Sequence, residues 1–392
     1  MIDKNLTIKE IIETYPETVD VFSSKGLRGL DNKMILKKVG KYTLEEILDK
    51  KGIDVDAFIT LLEDATQDLT SADVTLKDMS NSESKIKVIG LLPCPVRIPI
   101  LEQINKFDVN HIDFDLQAAS MGLDHLKEEI LAADKEEQLA SVYISAGFDL
   151  FFDERLMERF TRKGTFKDFA NIEFNKDFNN SDIDLKDPNG NYSMISVVPA
   201  VFLVNKNHLD GKPMPKTWKD ILNPIYKGML SLPVSDFDLF NAILIHIHKE
   251  FGMEGVSMLR ENLAASLHPA QMVKGEKGVV PAISIMPYFF TRMAAPGSPL
   301  VAVWPEDGAI VSPIFMLTKA SEEAEIKAVN EIMLSKEMGE ILSHQGLFPS
   351  VNKEVDNNLE GKPFKFVGWD YINNNDIGHI IETCLEEFNK GV

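Results

Sequence analysis

Apolar residues recur at helical spacing in the first part of the chain and at strand spacing later. Ile8, Ile11, Ile12, Tyr15, Val19 and Phe22 lie three to four apart, and Thr7 with Glu10 has the spacing of a helix-capping box. Pro16 should break or restart that helix, and Gly26 and Gly29 mark a turn. Thr43 and Glu46 repeat the capping spacing ahead of Leu44, Ile47 and Leu48. Gly52 stops this helix, and Val55, Phe58, Leu61, Leu62 and Ala65 pattern another. Residues 1–66 therefore predict a small unit of about three short helices. So few apolar positions make a thin core, so docking onto the rest of the chain is expected. Residues 67–85 are polar and have linker composition.

The period changes after residue 85. Ile86–Leu92 is an apolar strand ending in Pro93-Cys94-Pro95, and a helix follows around Ile100, Leu101 and Ile104. His111–Ala118 alternates. A helix after Gly122, a strand at Ser141–Ser145 and a helix from Asp153 to Phe160 complete a run of βαβ units, which predicts a parallel sheet. Two long, almost unbroken apolar strands come next, Ile195–Val204 and Ala309–Leu317. Between them lie strands at Met229–Leu232 and Val279–Met286, with helices over Asp236–Phe251 and Glu254–Leu267. Helices over Glu322–Leu334 and Lys336–His344 follow the second long strand. The expected fold class is α/β with two lobes joined by two crossover strands, plus an all-α N-terminal domain. The lobes take 86–196 with 311–392, and 197–310.

Composition narrows the function. The 392 residues carry 41 Lys+Arg against 61 Asp+Glu, a formal charge of -20, which argues against nucleic acid or anionic membrane as partner. The apolar stretch Val279–Phe290 is interrupted by proline and too short to span a bilayer, so no membrane insertion is expected. The polar start Met1-Ile2-Asp3-Lys4-Asn5 lacks the pattern of a secretory signal, so the expected location is cytoplasmic, or periplasmic if a signal has been removed. Cys94 and Cys384, the two cysteines, exclude a disulfide framework and a four-thiolate metal site. Nucleotide-cradling and nucleophile-elbow motifs are absent, and the eight histidines form no ligand cluster.

Two regions of the chain carry family resemblances. Pro215-Lys216-Thr217-Trp218-Lys219-Asp220-Ile221-Leu222-Asn223-Pro224-Ile225-Tyr226-Lys227-Gly228 resembles a signature of type 2 periplasmic solute-binding proteins of ABC transporters, in their ferric-iron-type branch. Trp304-Pro305-Glu306-Asp307-Gly308 resembles that family's return crossover, and the likeness extends over about residues 86–392. The N-terminal Thr7-Ile8-Lys9-Glu10-Ile11 and Tyr15-Pro16-Glu17 resemble a small helical domain of unknown function, associated with hybrid-cluster and redox proteins, that often carries Cys-x-x-Cys. Here the matching stretch reads Gly26-Leu27-Arg28-Gly29-Leu30-Asp31, without cysteine, so a docking or regulatory role remains. The resemblance implies hinge closure of two lobes on a small or anionic ligand, held at strand C-termini and helix N-termini. It also implies an ABC permease or a redox protein as partner.

Candidate ligand residues follow from those positions. Cys94 is a ligand-loop thiol or a packed cysteine, and Arg97 is an anion clamp or a surface charge. Ser120 and Ser145 sit in small-residue loops at strand ends, and Ser231 ends a strand in the inserted lobe. Tyr288 offers a hydroxyl or a stacking wall. Glu306 and Asp307 are ligand carboxylates or a polar hinge turn. Iron-binding relatives place two adjacent tyrosines near Tyr288, and Phe289 cannot ligate, which counts against ferric iron; no other cofactor is expected. The competing reading is an enzyme on the same fold using Cys94 as nucleophile or metal ligand.

Overall fold

The computed structural model describes residues 2–15, 18, 22, 33–51, 55, 58–59, 62–63, 86–93, 96–109, 111–118, 123–170, 172–180, 183–232, 239–264, 281–293, 297 and 299–390. The N-terminal unit begins with α1 (Ile8–Thr14), followed by α2 (Lys33–Val39) and α3 (Leu44–Lys51). Both predicted capping boxes form. Thr7 accepts from the Glu10 N–H at 3.2 Å while the Glu10 carboxylate accepts from the Thr7 N–H at 2.8 Å. Thr43 and Glu46 repeat the exchange at 3.2 and 3.1 Å. The reciprocal bonds satisfy amides that a helix start leaves open. Ile8, Ile11, Phe22, Leu44, Leu48, Phe58 and Leu62 pack into one small core, with the Phe22 and Phe58 rings 5.4 Å apart. Pro16 lies outside the described residues, as does the 67–85 linker.

The main domain opens with β1 (Ile86–Leu92), α4 (Arg97–Ile104), β2 (Ile112–Ala118), α5 (Asp124–Ala132) and β3 (Val142–Ala146). β1 pairs in parallel with both β2 and β3, as the βαβ pattern requires. The helix expected over Asp153–Phe160 is instead two short ones, α6 (Phe148–Phe152) and α7 (Glu158–Thr161). The break is local chemistry. The Asp153 carboxylate accepts from the Arg155 N–H at 2.7 Å, an Asx turn that competes with helix continuation.

Next comes β4 (Ser193–Asn205), whose residues are buried from Ser193 through Val204. Burial on both faces explains why this strand reads as a continuous apolar run and not as an alternation. α8 (Trp218–Ile221), β5 (Leu230–Ser231), α9 (Leu239–Glu261), β6 (Ile283–Pro287) and β7 (Leu300–Val303) build the second lobe. The two helices expected here meet in α9, which is interrupted at Gly252, where φ is 65°. β8 (Ala309–Thr318) returns to the first lobe. It is followed by α10 (Glu323–Met333), α11 (Lys336–Glu340), β9 (Phe364–Lys365), α12 (Trp369–Asn374) and α13 (Ile377–Asn389).

The strand order is β2-β1-β3-β8-β4-β6-β5, with β7 beside β4 and β9 beside β8. β8 runs antiparallel to β3, so the sheet is mixed and not wholly parallel. β4 changes hands along its length. Ser193 through Pro199 pair with β8, and Ala200 through Asn205 pair with β6 and β7. The change falls between Pro199 and Ala200, three residues beyond the boundary expected at 196. Pro199 lies opposite Val311, and Pro313 lies opposite Val197. Each proline deletes a ladder N–H, and it does so where the two shared strands pass from one lobe to the other.

Candidate functional site

The register places the strand ends. β1 and β2 finish level, with Leu92 opposite Ala118, and β3 ends at Ala146 opposite Ile314 of β8. In the second lobe Pro287, the last residue of β6, lies opposite Ala200 of β4, and β5 runs parallel to β6. The C-terminal ends of both strand sets therefore face the level at which β4 changes partner. The loops leaving parallel strands at such a level form the ligand crevice of open α/β sheets.

An aromatic rim marks this level. Phe289, directly after β6, is buried and stacks on Phe348, with ring centroids 6.4 Å apart and planes 11° from parallel. Phe348 belongs to the first lobe. A Cβ on neighbouring Gly346 would lie 2.4 Å from its ring and 2.8 Å from Val96, and the Pro349 carbonyl accepts from the Val197 N–H of β4. The Phe289–Phe348 stack thus joins the two lobes. Beside it, Tyr288 meets Trp304 edge-on at 5.2 Å, and Trp304 meets Phe364 at 5.3 Å. The Lys362 ammonium lies 5.1 Å from the Trp304 ring and 5.5 Å from the Tyr288 ring, within cation–π reach of both.

A second feature anchors the crossover. Thr217 and Asp220 form a capping box for α8. Trp218 is buried, its indole N–H donates to the Gly308 carbonyl at 2.9 Å, and its ring meets Phe202 edge-on at 5.0 Å. The Trp218 backbone N–H reaches both Asp307 carboxylate oxygens at 3.2 Å, and Lys365 lies 3.5 Å from the same carboxylate. Glu306 pairs with Lys216 at 2.9 Å on the surface. The signature segment is therefore a clamp that fixes the start of β8.

Residues 137–375 match the family described as bacterial extracellular solute-binding protein. The chain belongs to this family. Residues 2–59 match a domain of unknown function (DUF1858). Among solved structures the chain is similar to the periplasmic binding protein AfuA from Actinobacillus pleuropneumoniae, with exogenous fructose-6-phosphate bound. The TM-score is 0.56 at 15% identity, over 79% of this chain and 100% of that one. It is similar to the ferric binding protein from Campylobacter jejuni, with TM-score 0.52 at 14% identity over 78% of this chain and 99% of that one. It is also similar to a two-component system protein that mediates signal transduction, with TM-score 0.54 at 14% identity over 76% and 99%. No curated protein matches. These likenesses show the two-lobed fold of periplasmic binding proteins, as expected from the sequence.

Within this solute-binding fold the candidate residues divide. Cys94 and Ser120 lie outside the described residues; the strands they follow end at the crevice. Arg97 is buried at the start of α4, and its guanidinium donates twice to the Leu116 carbonyl of β2 at 3.2 Å, which ties helix to strand. Ser145 is buried and donates to the adjacent Ala146 carbonyl at 2.7 Å, so this hydroxyl serves its own lobe. Ser231 donates to the Ser284 hydroxyl at 3.0 Å, linking β5 to β6. Glu306 and Asp307, one alternative for which was ligand carboxylates, are held by the α8 clamp. Tyr288 follows β6 directly and meets Trp304 and Lys362. Cys384 is buried on α13, where burial pushes its thiol up to about 11 and leaves it little thiolate character.

Sequence reading missed Phe348, Lys362 and the rim role of Trp304. No periodicity marks them, because they meet Tyr288 and Phe289 only through the tertiary fold. A groove of about 470 Å³ lined by Pro99, Glu102, Lys106, Glu337 and His344 also opens on the first lobe. It runs between α4 and the segment from α11 to Gln345.

Proposed function

We propose that the crevice takes an anionic organic solute, such as a phosphorylated sugar, and that β4 and β8 bend to close the lobes around it. The observation that carries the ligand class is the Tyr288–Trp304–Lys362 cluster. An ammonium beside the only phenol of this turn favours an anion and opposes a trivalent cation at Coulomb range. Phe289, in the position of a second phenol, is stacked and apolar. The likeness to AfuA, with its fructose-6-phosphate, supports the same class.

Thermal unfolding of the full chain tests this with three probes: fructose-6-phosphate, inorganic phosphate and a ferric salt. At a hundredfold excess over Kd, bound solute adds about 2.7 kcal/mol, a rise in midpoint of about 3–4 °C for a chain of this length. The expected result is a rise with the sugar phosphate that Lys362→Gln reduces. A rise with the ferric salt alone would overturn the ligand class.

Members of this family are described as extracellular, and no described helix is long and apolar enough to cross a membrane. We propose an ABC permease as the chain's partner. A sensor in the cytoplasm is the second reading, and the likeness to the two-component system protein supports its sensing role alone. Fractionation of the native cell decides between them, because a delivery role requires the protein outside the cytoplasm.

A further inference from the structure

The N-terminal module meets the main domain at one described apolar point. Phe290 packs against the module's core, made of residues such as Ile8, Ile11 and Leu48, and also against the core of the main domain. Among the described residues it is the one hydrophobic side chain beyond residue 85 that does so. Its chain neighbour is Phe289, whose ring lies 5.5 Å away and edge-on at 76°. Phe289 in turn stacks on Phe348 of the first lobe. Module, second lobe and first lobe are thus joined by three consecutive contacts, the last two of them between rings, and the last joins the two lobes.

That juxtaposition has an energetic consequence. If the lobes hinge, the Phe289–Phe348 stack must form and break, and the 288–293 turn must move with it. A module seated on Phe290 then binds one lobe arrangement better than the other. A body that binds two states unequally shifts their balance, and the shift is reciprocal.

We propose that the N-terminal module is a closure reporter. It docks on the crevice rim through Phe290, and its docking is coupled to the lobe arrangement through Phe289 and Phe348. Closing the lobes holds the module down, and opening them releases it to a partner. The link to a solute rests on the crevice reading given above. The link between lobes and module does not, and it can be measured with no solute present.

Hydrogen exchange on the full chain reads it, with α1 and α3 amides reporting the module and β3 and β8 amides reporting the main domain. Phe290→Ala should raise exchange in α1 and α3 by about tenfold while β3 and β8 stay protected. Phe348→Ala alters a residue of the first lobe, outside the module's core, and should raise module exchange by about threefold through the stack. Because Phe348 is buried, Phe348→Leu serves as the second variant, keeping much of the apolar volume while removing the ring contact. Unchanged module exchange in Phe290→Ala would overturn the docking. A module loosened by Phe290→Ala but unmoved by either Phe348 variant would overturn the coupling.

Discussion

Two segments dock onto the crossover region, and they do so by different physics. The 215–228 clamp is held by a capping box, a buried indole with its N–H satisfied, and a carboxylate on a helix-start amide. Each bond is directional, so the clamp has one good geometry. The N-terminal module meets the rim through the apolar face of Phe290, a contact without direction that is easily remade. The first arrangement suits a fixed part of the hinge frame, and the second suits a part that comes and goes.

The largest effect should come from breaking the clamp. Trp218→Ala removes a buried ring and its bond to Gly308, and should cost about 3–5 kcal/mol in urea unfolding of the main domain. A cost below about 1 kcal/mol would make the clamp no more fixed than the module contact.

The frame around the clamp should also be acid-sensitive. His246 of α9 is buried, with its Nδ1 2.8 Å from the Ala242 carbonyl. Burial first, then the charges of Lys249 and Lys365, bring it down to about 4 from an ordinary 6.5. Between those values the unfolded chain holds the extra proton. Its contribution is therefore complete above pH 6.5 and is lost as pH falls toward 4, by about 3 kcal/mol. Melting midpoints taken from pH 8 down to pH 4 should fall across this window. His246→Leu should flatten the fall, and an equally steep fall in that variant would assign it to other groups.

A smaller effect is expected at the cap. Asp307→Ala removes the acceptor of the Trp218 N–H and one partner of Lys365, and should cost about 1 kcal/mol by the same urea measurement. The smallest global effect belongs to Phe290→Ala. It should move the main-domain melting midpoint by less than about 2 °C while loosening the module locally. A global loss as large as that of Trp218→Ala would erase the contrast between the two docked segments.

What could be read from the sequence follows the same division. Capping boxes, the long crossover strands and the Thr217–Gly228 segment depend on nearby residues, and each was legible. The α6–α7 break was not, because the Asp153 side chain turns the backbone against a helical pattern. Parallel pairing was legible for β1 to β3, whereas the direction of β8 was not, since an apolar run carries no mark of strand direction. At the crevice the sequence indicated Tyr288 and the absent second phenol. It did not reveal Lys362, 74 residues later, lying over the same ring, nor Phe348 facing Phe289. Arg97, Ser145 and Ser231 have the right chemistry at the right strand ends, yet their polar atoms serve the lobes that carry them. Residue type and position do not say whether a donor is already engaged.

Small-angle scattering of the full chain, with and without saturating fructose-6-phosphate, tests the central claim most directly. Closure about Pro199 and Pro313 predicts a smaller radius of gyration with the sugar phosphate, and no contraction with a ferric salt. An unchanged radius with the sugar phosphate, or contraction with the ferric salt alone, would contradict the account.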